Sequence, residues 1–208
     1  MPRIKVLVGI PCNWNVVAVP FVESLTNLRL PPSTEIRFVR EPTLDQMRNR
    51  LAEMALEGGF THLFMLDVDM LYPPNALIEL LRSNVDIVCG LACRRTPPHV
   101  PVILQPTGKR YVFEVQMPEE RGLVRCGVVG GGGTLIKTEV FRGMEPPYFS
   151  FHERMPDGRQ IGEDFYFCQK AADAGFEVYC RTDIVYPHLL TVGVAVNDAG
   201  EIAYTAIG

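Results

Sequence analysis

The chain has 208 residues, 47% hydrophobic and 21% charged, with a formal net charge of −4. That balance excludes a disordered chain, and the excess of Asp+Glu over Lys+Arg (24 against 20) offers no general basic field for nucleic acid. No run reaches the ~18 apolar residues of a membrane span, and a length not far above the ~150-residue norm for one domain predicts a single domain over residues 1–208.

The opening segment MPRIKVLVGIPCNWN has an apolar run broken by Lys5 and Gly9 and no A-x-A cleavage pattern, so it reads as a first strand over Lys5–Ile10 rather than a signal peptide. A helix is expected from Val16 through Phe21, Leu25 and Leu28, disturbed by Pro20, and then a second strand over Glu35–Arg40. Thr43 and Gln46 have capping-box spacing. The helix they open has the apolar stripe Leu44, Met47, Leu51, Met54 and Ala55 and stops at Gly58-Gly59. Phe60–Leu66 is nearly all apolar, as suits a central parallel strand covered on both faces. Pro73-Pro74 opens a helix through Leu77, Leu80 and Leu81, and Val85–Leu91 is another buried strand. The alternation of strand and helix predicts an α/β fold with a mainly parallel sheet.

The second half is less regular. Tyr111–Gln116 and Leu123–Val129 read as strands of a hairpin. The run Gly130–Gly133 precedes a short strand over Thr134–Ile136 and a short helix from Thr138 to Phe141. Glu163–Ala174 is a helix stopped by Gly175, followed by strands over Phe176–Cys180 and Ile184–Leu189. A terminal hairpin is expected around Asp198-Ala199-Gly200. The six cysteines are scattered with no C-x-x-C pair, the pattern of buried reduced thiols in a cytoplasmic protein and not of a zinc site.

Four features carry chemistry. Asp67-Val68-Asp69 follows the apolar strand Phe60–Leu66, at the strand end where α/β sheets collect ligands. Two carboxylates there call for a counter-charge, and hard oxygen ligands favour Mg²⁺ or Mn²⁺. The Gly130–Gly133 run suits a backbone that approaches a ligand or turns sharply. Glu163 and Asp164 start a helix, where carboxylates either cap the dipole or serve as a general base. His188 stands at a strand end after Tyr186-Pro187.

In this order the four features resemble the core of GT-A fold glycosyltransferases, with family 2 the nearest flavour. VLVGIPCNWN resembles that family's opening strand and base loop, and Arg48-Asn49-Arg50-Leu51-Ala52 its Ala-Arg-Asn helix. GGGTLIKTEVF resembles its sugar-contacting glycine segment, and EDFYFCQKAADAGFEVY its Glu-Asp helix–strand unit. The resemblance runs over residues 4–190. It implies a GT-A (Rossmann-like) mixed, mainly parallel sheet flanked by helices, with a small antiparallel second half. Residues 1–95 would form the nucleotide-binding half and residues 96–208 the acceptor and catalytic half.

The resemblance further implies a metal-dependent glycosyltransferase acting on a nucleotide-sugar donor and a hydroxyl acceptor. Pro11, Cys12, Asn13, Arg50 (or Arg48), Asp67 and Val68 would bind the nucleotide. Asp69, Asp67 and His188 would hold Mn²⁺ or Mg²⁺, and Gly131, Gly132 and Gly133 would lie along the donor sugar. Asp164, supported by Glu163, would be the base of an inverting displacement; a retaining course stays open. The family's usual opening loop is replaced here by Cys12-Asn13-Trp14-Asn15. The chain is short for the family, so acceptor contacts come from its own second half or from a partner subunit of a homo-oligomer. Tyr148, Phe149, Phe151 and His152 form a candidate acceptor or lid loop, and Arg94-Arg95 a candidate contact to phosphate or an acidic acceptor. Two alternatives stand beside this reading. A nucleotidyltransferase would carry a glycine-rich loop after the first strand, but residues 11–20 contain no Gly. A non-catalytic nucleotide-sugar-binding module would keep the pocket without turnover.

Overall fold

Every residue of Val6–Pro11 (β1) is buried, because the strand lies inside a sheet with helices over both faces and no polar alternation is needed. The computed structural model describes residues 4–117 and 119–207. Thr34–Val39 (β2) and His62–Met65 (β3) flank β1 in parallel register, Val6 standing opposite Thr34 on one side and His62 on the other. The crossovers carry Val19–Thr26 (α1) and Leu44–Glu57 (α2), and Ala76–Ser83 (α3) leads into Ile87–Ala92 (β4). Pro20 does not disturb α1, as expected from the sequence, but opens it: the helix begins at Val19 with proline in its first turn, where a missing N–H costs nothing. α2 starts where the sequence predicts. Its Thr43 hydroxyl bonds the Asp45 carboxylate rather than a backbone N–H, so no capping box forms.

The mixed, mainly parallel sheet expected from the sequence forms, with one antiparallel strand at its centre. Thr134–Lys137 (β9) lies between β3 and β4 and antiparallel to both, with Thr134 opposite Met65 on one side and Cys89 on the other. Val178–Tyr186 (β10) continues parallel to β4, and Leu123–Cys126 (β7) closes the sheet antiparallel to β10. The order is β2-β1-β3-β9-β4-β10-β7, a mixed, mainly parallel seven-stranded sheet. Ile103–Pro106 (β5), Phe113–Val115 (β6) and Val128–Val129 (β8) form a small antiparallel sheet in the order β6-β5-β8. The predicted hairpin of Tyr111–Gln116 with Leu123–Val129 does not form. β6 pairs with β5, and the second segment divides at Gly127 between the two sheets.

Thr138–Arg142 (α4) and Glu163–Asp173 (α5) complete the helices, and Gly175 ends α5 at φ +89°. The terminal hairpin forms as expected, Thr191–Val196 (β11) against Ile202–Ile207 (β12), and its Gly200 N–H donates to the Asn197 carbonyl. Five of the six cysteines are buried, Cys93 is exposed and none is bonded to another. Among the described residues no helix is long and apolar enough to cross a membrane.

This topology gathers the chemistry-bearing segments at one edge. β1, β3, β4 and β10 all end there, with Pro11, Asp67, Arg94-Arg95 and His188 at or just beyond the strand ends. β9 runs the other way, so the glycine run before it lies at that same edge. α5 leads into the opposite end of β10, which returns Glu163 and Asp164, at its start, to the edge as well. At Gly131, Gly132 and Gly133 the run passes so close to its neighbours that side chains are excluded. Gly133 has φ +82°, and a Cβ there would lie 2.2 Å from the Tyr186 ring. Gly133→Ala therefore combines backbone strain with a clash, whereas Gly200→Ala, at a similar φ with open space around it, carries strain alone. Chemical denaturation is expected to show a loss of about 3 kcal/mol or more for the first and about 1 kcal/mol for the second.

Candidate functional site

A single buried guanidinium organises the edge. Arg48, in the second turn of α2, is 1% exposed. Its Nη2 donates to both carboxylate oxygens of Asp67 at 3.0 and 3.1 Å, and its Nε to Glu163 Oε1 at 3.0 Å. Burial opposes the charge on Arg48, but the surrounding carboxylates of Asp67, Glu163 and Asp164 overcome it and hold the pKa above its ordinary value. Asp67 is fixed from its other side by Tyr72, whose phenol accepts from the Asp67 N–H at 2.7 Å and donates to the Asp67 carbonyl at 3.0 Å.

Three carboxylates face this one cation, and the third is Asp164. It forms no ion pair among the described residues. Its Oδ1 accepts from the N–H of Phe165 at 2.8 Å in the first turn of α5. Burial, and then repulsion from Glu163, raise the Asp164 pKa to about 7 against the opposing pull of Arg48 and the Phe165 N–H. A carboxylate poised there can exchange a proton near neutral pH, as a general base requires.

Gly131 and Gly132 pack directly against the cluster. A Cβ on Gly131 would meet the Arg48 guanidinium at 2.5 Å, and one on Gly132 would meet Asp67 Oδ2 at 2.6 Å. All three of Gly131, Gly132 and Gly133 are buried. Tyr186 backs the run with its hydroxyl on the Gly133 carbonyl at 3.3 Å, and its ring meets that of Tyr72 edge-on at 5.0 Å between centroids.

The structure brings Asp69 and His188 together through the backbone. Met70 bridges His188 in antiparallel fashion, and the Leu189 N–H donates to the Asp69 carbonyl at 2.7 Å. Their side chains are engaged differently from the sequence expectation. Asp67 is spent on Arg48, and Asp69 pairs with Arg95 at 3.0 Å in a half-exposed contact. Among the described residues no group of three His, Cys, Asp or Glu side chains is placed to hold a metal ion, so the three-ligand set of Asp67, Asp69 and His188 does not form. One observation fits a smaller site: His188 Nδ1 is buried without a hydrogen-bond partner. With Asp69 beside it, the pair matches the sparse protein ligation that suffices for Mg²⁺ or Mn²⁺ when phosphates and water supply the other oxygens.

Other expected residues fall variously. Pro11 and Cys12 are buried at the end of β1, Asn13 is exposed with its amide on the Glu41 and Pro42 carbonyls, and Val68 is half-buried. Arg50 lies on the outer side of α2, paired with Glu53 and Glu57. Two residues on a helix diverge by about 200°, so Arg50 does not share the cluster with Arg48. Tyr148 and Phe149 are not a lid. Both are buried, Phe149 stacking on Phe167 at 4.6 Å and Tyr148 meeting Phe141 at 5.0 Å. Helical phase is the signal that favours Arg48: it stands on the stripe of Leu44, Leu51 and Ala55, whereas Arg50 is off it. Tyr72 and Tyr186 carried no motif.

No protein-family model matches the sequence, and no curated protein matches it. Solved structures do match the fold. A197 from STIV is 19% identical with a TM-score of 0.66, over 96% of this chain and 93% of that one. GalNAc-T7, solved with UDP, GalNAc and Mn²⁺, is 12% identical with a TM-score of 0.59, over 90% of this chain and 44% of that one. TarS of S. aureus is 12% identical with a TM-score of 0.50, over 88% of this chain and 36% of that one. The fold is thus GT-A-like, as the sequence motifs implied. The chain spans less than half the length of the latter two proteins, and the likeness does not extend to a family 2 assignment.

The two arginines of α2 separate experimentally. Arg48→Met leaves Asp67 and Glu163 uncompensated and is expected to cost about 3–5 kcal/mol in urea denaturation. Arg50→Met breaks only exposed pairs and is expected to cost under ~1 kcal/mol.

Proposed function

We propose that this chain is a transferase that moves a sugar from a nucleotide-sugar donor to an acceptor hydroxyl, with Asp164 as the base of an inverting displacement. The observation that carries the reading is the charge arrangement on a GT-A-like edge. Arg48 neutralises Asp67 and Glu163 and leaves Asp164 without an ion pair, its pKa raised to about 7.

The roles follow from chemistry. An acceptor hydroxyl is a weak nucleophile, and a carboxylate that takes its proton as the new bond forms speeds attack by about 10²–10⁴-fold. Glu163 and Arg48 position Asp164 without touching substrate: they fix the start of α5 and set the field that keeps the base poised. The donor lies along the strand ends, with its nucleotide at Pro11, Cys12, Asn13 and Val68 and its sugar at the Gly131–Gly133 backbone. Asp69 and His188 would hold a divalent cation together with the diphosphate oxygens, and Arg95, already at Asp69, would exchange its partner for a phosphate. When bound, such an ion supplies Lewis-acid stabilisation of the charge that builds on the departing diphosphate. GalNAc-T7, similar in fold, was solved with UDP, GalNAc and Mn²⁺, which supports a nucleotide-sugar donor and a divalent ion in this reading.

Nucleotide recognition is tested by thermal unfolding with UDP, GDP, CDP and dTDP, each with and without Mn²⁺. A ligand at 100 times its Kd adds ~2.7 kcal/mol, which raises the Tm of a domain this size by about 5–10 °C. We expect one diphosphate to give this rise with Mn²⁺ and Asp69→Ala to abolish the metal-dependent part; no rise with any of the four overturns the reading.

Asp164 also makes the protein's stability pH-dependent. Its folded pKa lies above the usual carboxylate value, so the native state holds the proton more tightly than the unfolded chain between about pH 4 and pH 7. This contribution to stability is therefore present at low pH and lost as pH rises toward 7. Asp164→Asn is expected to raise the Tm at pH 8 relative to the parent protein and to change it little at pH 4. The same variant should lower sugar transfer by about 10²–10⁴-fold, and transfer by the parent should rise with pH through 7.

A further inference from the structure

Beside the start of α5 lies a cavity of about 260 Å³ that none of the roles above uses. Leu104 and Val115, paired across β5 and β6, line it together with Phe113 of β6. One wall is Phe165, the residue after Asp164, whose ring meets Phe113 edge-on at 5.5 Å. Tyr111 adds a further aromatic face, and the segment from Met155 to Arg159 forms the opposite wall.

The charges at this cavity do not cancel. Asp157 is matched by Arg159 at 2.7 Å. Arg94 also lines the cavity, and its hydrogen bonds run through its backbone: its N–H donates to Val100, and its carbonyl accepts from His99 Nδ1. Among the described residues no carboxylate pairs with its guanidinium, in contrast to Arg95, which is held on Asp69. Arg94 and Arg95 therefore link the cavity along the chain to Asp69, as Phe165 links it to Asp164.

We propose that this cavity binds the acceptor, and that the acceptor is a single-ring compound carrying an anionic group. The volume suits one ring and not an extended chain. Aromatic side chains offer their faces to a sugar or aryl ring, and an unmatched guanidinium selects phosphate or carboxylate through charge-assisted hydrogen bonds. The inference rests on the transferase reading for the word acceptor, since Asp164 is linked to the cavity through Phe165, the next residue in the chain; the cavity's preference for anionic rings stands on its own lining.

The test is saturation-transfer NMR on the full chain with glucose 6-phosphate, glucuronate, phenyl phosphate and uncharged glucose, alongside the nucleoside diphosphate titration. We expect at least one anionic probe to bind about tenfold or more tightly than glucose, with the phosphate and carboxylate arms telling which anion is preferred. Arg94→Ala, at an exposed position, should weaken that probe about tenfold. Val115→Trp, at the exposed rim, should fill the cavity and weaken every probe. Equal binding of charged and uncharged rings, no effect of either variant, or no binding at millimolar concentration overturns the proposal. The two readings fail separately: a nucleotide that binds while no ring probe does removes the cavity's role, and ring probes that bind while no nucleotide does remove the acceptor assignment.

Discussion

A guanidinium sealed inside a protein has to find its counter-charges in place, because water is no longer there to supply them. Arg48 meets this constraint with carboxylates from two distant parts of the chain, Asp67 after β3 and Glu163 at the start of α5. The pairing pins α2, β3 and α5 to one another at the very edge where the strands end. It also leaves no room for a side chain on Gly131, in the glycine run that leads into β9. Buried ion pairs add little stability over apolar packing of the same volume. Stability alone therefore gives little reason for a buried cation with a third carboxylate beside it, and charges perturbed in this way concentrate at functional sites.

The leftover carboxylate sets the electrostatic character of the cluster. With one cation among three acids, burial and then repulsion from Glu163 raise the pKa of Asp164, the carboxylate without an ion pair among the described residues. Asp69 and His188 stand apart from this cluster, on the far side of Asp67, joined by the backbone ladder at Met70 and Leu189. The edge thus carries two separate charge groups, one of Arg48, Asp67, Glu163 and Asp164 and one of Asp69 paired with Arg95.

Much of this was legible in the sequence. The unbroken apolar character of Phe60–Leu66 announced a central strand and put Asp67 at its end. Gly175 marked the stop of α5, and Asp198-Ala199-Gly200 marked the terminal turn. What was not legible has physical causes. A four-residue segment such as Thr134–Lys137 shows that a strand exists but not which neighbours it takes or in which direction. β5 follows Pro101 and ends on Pro106, residues that mask a strand although its backbone is paired on both sides. Tyr148 and Phe149 sit in a proline-rich connection that looks exposed, yet it folds over Phe141 and Phe167 and becomes core. Arg48 and Arg50 differ only in helical phase, which the motif resemblance ignores and the apolar stripe records.

The central position of β9 bears on how the chain reaches its native state. β3 and β4 are made early in synthesis, yet neither obtains its shared neighbour until residues 134–137 have emerged, and β4's other flank waits for β10. Until then two apolar strands are left with open edges, a situation that favours pairing with another chain. Long sequence separation between paired strands also slows folding. A shortened or slowly completed chain would therefore be prone to aggregate through these two edges, and co-translational capture by a chaperone would matter more for this protein than for a parallel sheet assembled strictly in chain order.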